Sequence, residues 1–156
     1  ESELFGLLIT ICALRPDAFE FQPLDYNTTR GIDIVARNKN AGLVTESKYW
    51  YVELKFLLKN NFNHAFRNLR WIVCWDFEEG IAENSEFRSI EETDVRQLRI
   101  HKDKDGHSSY FLDNPGRPTK IQVIRLARFL KERLDLTFEK TSHLRDGDLY
   151  RGPGVI

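Results

Sequence analysis

At 156 residues the chain has the length of one ordinary domain, and roughly two thirds of the surface of such a chain can be buried without disulfide support. Hydrophobic residues at 41% beside 30% charged ones exclude a disordered chain, and no apolar run approaches the roughly 20 residues of a membrane-spanning helix. Lys and Arg (23) balance Asp and Glu (24), which excludes a nucleic-acid binder that works by bulk positive charge and leaves only a local patch for that purpose. Two cysteines, Cys12 and Cys74, exclude a disulfide scaffold and a four-thiolate metal site. Both have apolar neighbours and read as small buried hydrophobes in a reducing compartment.

In chain order, residues 1–14 are predicted as an amphipathic helix, with Leu4, Leu7, Leu8 and Ile11 at helical spacing. Pro16 ends it by biasing Arg15 out of the helical region. A short strand over 19–23, a turn-rich loop over 25–31 and a β-branched strand over 32–37 follow. Residues 38–47 carry Asn, Gly and Lys and read as a hairpin loop. The next strand spans 48–57, a helix 61–68, and a strongly apolar strand 71–75. Repeated glutamates over 78–92 suggest a loop or a surface helix. Strands over 97–102 and 110–112 flank a polar turn. Residues 120–136 alternate briefly at Ile121 and Val123, then show helical spacing through Leu126, Phe129, Leu130 and Leu134. This order predicts an α/β layer with a mixed sheet. The Glu1 start and the absence of Met lead to the expectation of a domain from a larger protein, with residues 1–140 as the domain and 141–156 as a polar tail.

The residues that carry chemistry are Gly31-Ile32-Asp33-Ile34-Val35 and Val52-Glu53-Leu54-Lys55-Phe56. Side chains alternate along a strand, so Glu53 and Lys55 share one face and Val52, Leu54 and Phe56 the other. If the two strands form a hairpin, Asp33 falls beside Glu53 and Lys55. A Glu-x-Lys on a strand is commonly just a solvated face. Here both strands are otherwise apolar, which favours a functional pair. Mg²⁺ takes oxygen ligands and is commonly held by one or two carboxylates plus substrate phosphate. Asp33, Glu53 and the Leu54 carbonyl offer such a set. Lys55 is then placed to orient or help deprotonate an attacking water, or to stabilise charge on a pentacoordinate phosphorus.

Asp33 followed by Glu53-Leu54-Lys55 resembles the core motif of the PD-(D/E)xK nuclease superfamily, over roughly residues 1–76. The resemblance implies a restriction-endonuclease-like core, a mixed β-sheet flanked by helices, and metal-dependent hydrolysis of DNA phosphodiester bonds with Mg²⁺ or Mn²⁺. It makes Asp33 and Glu53 the metal-binding carboxylates and Lys55 the catalytic lysine. Many members add a glutamate from the first helix, for which Glu3 is preferred over Glu1. Ile32 stands where the superfamily's name has proline. Expected partners are DNA, other domains of a larger protein and a second copy for double-strand cuts, with no membrane. The expected location is the cytoplasm or nucleoid, in bacterial defence or DNA repair. The alternative is a nuclease-fold module without activity that binds DNA or a partner protein, with 78–92 as its docking surface; an RNA substrate is a third reading.

Further residues carry two readings each. His64, Asn63 and Arg67 either reach the scissile phosphate from the helix over 61–68 or lie exposed beside an inward Phe62–Phe66 pair. Thr28, Thr29 and Arg30 either contact a DNA backbone or form an ordinary loop. Asp76 is either a supporting acid or a strand-end cap. Lys120, Arg125, Arg128, Lys131 and Arg133 either track phosphates or form the wet face of a helix. His101, His107 and His143 lack zinc spacing, and Asp103, Asp105 and Gly106 read as a hairpin turn rather than a calcium loop.

Overall fold

A computed structural model describes residues 2–27, 33–40, 48–91 and 93–136. Two helices, α1 (Ser2–Leu14) and α2 (Leu126–Leu134), accompany eight strands: β1 (Phe21–Tyr26), β2 (Ile34–Asn38), β3 (Tyr49–Leu58), β4 (Leu69–Phe77), β5 (Glu86–Arg88), β6 (Val95–Lys102), β7 (Ser108–Asp113) and β8 (Ile121–Arg125). They form one mixed sheet in the order β1-β2-β3-β4-β8-β7-β6-β5. The centre is parallel, β3 beside β4 and β4 beside β8, and both flanks are antiparallel. The protein is α/β, and no helix of the described residues is long and apolar enough to cross a membrane.

Alternation along the central strands feeds two cores. On one face Val52, Leu54, Trp71, Val73 and Ile124 meet Leu4, Leu8 and Ile11 of α1 and Leu126 and Leu130 of α2. Each fully buried side chain of this size contributes about 1.5–3 kcal/mol of transfer free energy, which docks both helices on this face. On the other face Ile72, Cys74 and Val123 meet Phe87, Leu98, Tyr110 and Leu112 from the antiparallel flank. The sheet curls over this second core. Arg88 N–H donates to the Asn60 carbonyl and Phe62 N–H to the Arg88 carbonyl, both at 2.9 Å, so edge strand β5 is closed against the chain leaving β3. The mixed sheet is as expected, but both helices lie on one face, and the other is covered by the curled sheet together with Phe62 and Phe66 of the chain after β3.

The expected helix over 61–68 does not form. Residues 59–68 make an irregular link between parallel strands, a connection usually built as a helix. Asn60, Asn61, Asn63 and Asn68 are weak helix formers that favour turns, and Asn68 takes a left-handed φ of 67°. Phe62 and Phe66 do point inward, with rings 5.2 Å apart, so their four-residue spacing imitates a helix while the backbone bonds to β5 instead. The first strand runs from Phe21 to Tyr26, later than expected, with its Pro23 on the sheet edge beside a bulge. Within 78–92 the described residues form turns and β5 rather than a surface helix. The tail over 141–156 and the loop residues Thr28, Thr29 and Arg30 lie outside the described residues.

Candidate active site

The hairpin of β2 and β3 pairs Ile34 with Val52 and Val35 with Tyr51. One step back along this register Asp33 stands opposite Glu53. Opposite residues of an antiparallel pair share a face, so the two carboxylates fall on the same side. Asp33 itself bends out of the ladder, and its Oδ2 accepts the Leu54 N–H at 2.7 Å. A carboxylate thus takes the hydrogen bond that the next residue of β2 would have taken. In an extended strand a residue's N–H and C=O leave the chain on the same side. The Leu54 carbonyl is therefore aimed at the margin where Asp33 sits, while the Leu54 side chain anchors the opposite core.

Glu53 is 1% exposed, an unusual position for a carboxylate. Lys55 Nζ lies 2.5 Å from its Oε1 and His64 Nε2 lies 3.4 Å from the same oxygen. The lysine contact is close but outside hydrogen-bond alignment, and Oε2 has no donor among the described residues. Burial pushes the Glu53 carboxyl above its ordinary range; Lys55 opposes this, Asp33 reinforces it, and His64 opposes it weakly. The result is a buried carboxyl with a second carboxylate nearby and one oxygen left over.

Asp33, Glu53, Leu54 and Lys55 are therefore brought together as expected from the hairpin. His64 joins them from the irregular link rather than from a helix. Its backbone is held by Ile90 N–H, which donates to the His64 carbonyl at 3.1 Å, and by the neighbouring Phe62 and Phe66 anchors. Arg67 is exposed, with no hydrogen bond or ion pair to these residues among the described ones. Glu3 is exposed in the first turn of α1. Phe5 stacks on Tyr26 at 3.7 Å, and Tyr26 pairs with Ile34, so this end of the helix lies near Asp33. Among the described residues Glu3 has no hydrogen bond or ion pair to the cluster.

Two features escape sequence reasoning. Arg96, 3% exposed, is paired with Asp94 at 3.1 Å and sits 5.3 Å over the Phe66 ring, so it steadies the link that carries His64. Tyr110 is 4% exposed, and its hydroxyl has no aligned partner. The Asp94–Arg96 pair is local in sequence, but its burial over Phe66 and that of Tyr110 against Phe77 depend on residues distant in the chain. Asp103, Asp105 and His107 offer oxygen and nitrogen atoms within 4.8 Å of one another. They form the expected turn between β6 and β7, with the Asp103 carboxylate accepting the Asp105 and His107 N–H groups and the Arg133 guanidinium. Against this geometry, no family model, curated protein or solved structure matches the chain.

Proposed function

We propose that this chain is a metal-dependent nuclease domain of the restriction-endonuclease-like, PD-(D/E)xK kind, hydrolysing phosphodiester bonds in DNA. The observation that carries the reading is the placing of Asp33 opposite Glu53 at the end of β2, with Lys55 against the buried carboxylate. A hard divalent cation fits this donor set. Two carboxylates and a backbone carbonyl converge, and the leftover Glu53 Oε2 is a buried acceptor that needs a positive partner. Mg²⁺ or Mn²⁺ held by Asp33, Glu53 and the Leu54 carbonyl would neutralise charge on the phosphoryl group and acidify a water.

The chain's own residues do the rest. Lys55, 26% exposed, keeps its ammonium at the mouth of the site, where it can donate to a non-bridging phosphate oxygen or orient the attacking water. His64 covers Glu53 and limits water around it. Asp33 is fixed by the Leu54 N–H, so its geometry is set before substrate arrives. The irregular link after β3 stands where the sequence predicts a helix over 61–68, and His64 reaches the carboxylate from it nonetheless.

The test is cleavage of supercoiled plasmid in Mg²⁺ and in Mn²⁺, with wild type beside Lys55→Ala and Asp33→Asn. Loss of the supercoiled band with wild type alone supports the reading. Equal cutting by all three refutes this site. An intact plasmid and an intact RNA, with DNA affinity indifferent to Asp33→Asn, would favour a module that binds without cutting.

A further inference from the structure

The parallel register aligns Lys55 with Cys74, and Cys74 with Arg125. With neighbouring strands about 4.8 Å apart, the Arg125 backbone lies about 10 Å from that of Lys55, in the same row across β3, β4 and β8. Arg125 ends β8 and immediately precedes α2, whose first turn has no side-chain cap. It therefore stands at the carboxyl ends of the parallel strands, where open α/β sheets take their ligands.

The guanidinium is held rather than loose. Its Nε donates to Asp76 Oδ1 at 2.5 Å, and its Cζ lies 4.9 Å over the Phe77 ring. One turn along, Arg128 Nε donates to Glu132 Oε1. Each fork is thus oriented through Nε by a carboxylate. Burial works against the charge of Arg125 and Asp76 outweighs it, Glu132 does the same for Arg128, and the Tyr110 hydroxyl lies beside both guanidiniums. Tyr110 is itself buried, packed edge-on against Phe77 at 5.1 Å, and without an aligned partner for its hydroxyl. A groove of about 380 Å³ runs past these groups, with Arg15 and Arg133 along its wall and Asp17, Glu20 and Glu132 among its acids. Two oriented arginine forks, one buried hydroxyl and an uncapped helix N-terminus put several donors on one groove, whose wall also carries carboxylates. Such a cluster suits a tetrahedral anion.

We propose that Arg125, positioned by Asp76 and helped by Tyr110 and Arg128, holds a backbone phosphate of the substrate strand away from the bond that is cut. The proposal rests on the nuclease reading of Asp33, Glu53 and Lys55 and adds to it a strand direction, from β3 toward β8.

The experiment is the salt dependence of binding of a fluorescent duplex oligonucleotide in Ca²⁺, with cleavage kinetics in Mg²⁺, for wild type, Arg125→Gln, Arg125→Lys and Tyr110→Phe. Removing one phosphate contact should lower the slope of log K against log salt by about 0.9. It should also raise KM about tenfold with little change in kcat. Arg125→Lys should recover part of the affinity, because it restores the charge without the fork. Tyr110→Phe keeps the packing and serves where Arg125→Gln fails to fold. It should weaken binding if the hydroxyl meets a phosphate, whereas a merely buried hydroxyl would give a more stable protein with unchanged binding. Unchanged slope and KM in every variant, while wild type still cuts in a Lys55-dependent way, would overturn the phosphate site alone. A wild type that neither binds nor cuts nucleic acid would overturn the nuclease reading, and this site with it. Inorganic phosphate competing equally against wild type and Arg125→Gln would also count against the assignment.

Discussion

Metal binding should show itself in stability before any substrate is added. Glu53 is 1% exposed with a spare oxygen, and burial raises its carboxyl above the ordinary range. A group whose folded value is raised adds stability in its protonated form, present below the unfolded value of about 4.3 and lost as pH rises through the higher folded one. In the metal-free protein burial therefore disfavours ionisation of Glu53, only partly offset by Lys55, and a cation at this site should supply the remaining compensation. A metal at a hundred times its Kd stabilises the folded state by about 2.7 kcal/mol. For a chain of this length each kcal/mol moves Tm by about 2–4 °C, so saturation should raise Tm by about 5–11 °C. Thermal melting at pH 7.5 with Mg²⁺, Mn²⁺ and a chelator control measures this directly. Glu53→Gln should melt no lower than wild type without metal and lose the metal-induced rise, and Asp33→Asn should lose most of it. The rise should fade as pH falls through the raised Glu53 value, because protons then compete with the metal. An undiminished rise in Glu53→Gln, or none in wild type with either metal, would refute the reasoning.

Three other outcomes follow from the packing. Arg96→Ala strands Asp94 as a buried carboxylate and should cost about 3–5 kcal/mol in urea unfolding; a loss below 1 kcal/mol would show that Arg117, 3.9 Å from Asp94, takes over the pair. Phe66→Ala opens the core under the link that carries His64, and about 3–5 kcal/mol should be lost; preserved melting would mean that the link is held from β5 alone. The Cys74 thiol, fully buried and pushed up to about 12 chiefly by desolvation, should react with a thiol reagent only as fast as the protein opens, and rapid labelling in native buffer would contradict its placement.

Much of the site was legible because it is local. Strand alternation alone puts Glu53 and Lys55 on one face and Leu54 on the other. The turn-rich stretch between two apolar strands predicts the hairpin that brings Asp33 to them. His64 was legible as a candidate but not in its setting. Phe62 and Phe66 have helical spacing, and nothing in residues 59–68 reveals that Asn60 and Phe62 pair with Arg88, which lies 26 residues beyond Phe62. Arg125 and Asp76 each carried two readings, and only the parallel pairing of β4 with β8 joined them in one ion pair.

By itself the sequence determined the candidate site groups, the faces they occupy on β3 and the α/β class, because these follow from periods of 2 and 3.6 residues and from turn chemistry. Tertiary structure alone decided that Glu53 is buried, that both helices share one face, and that the sheet curls until β5 closes on the chain after β3. The reason is physical. Burial and closure depend on which distant strands meet, and pairings such as Asn60–Arg88, Cys74–Arg125 and Arg96–Phe66 are made by backbone ladders and a common core rather than by any neighbour in the chain.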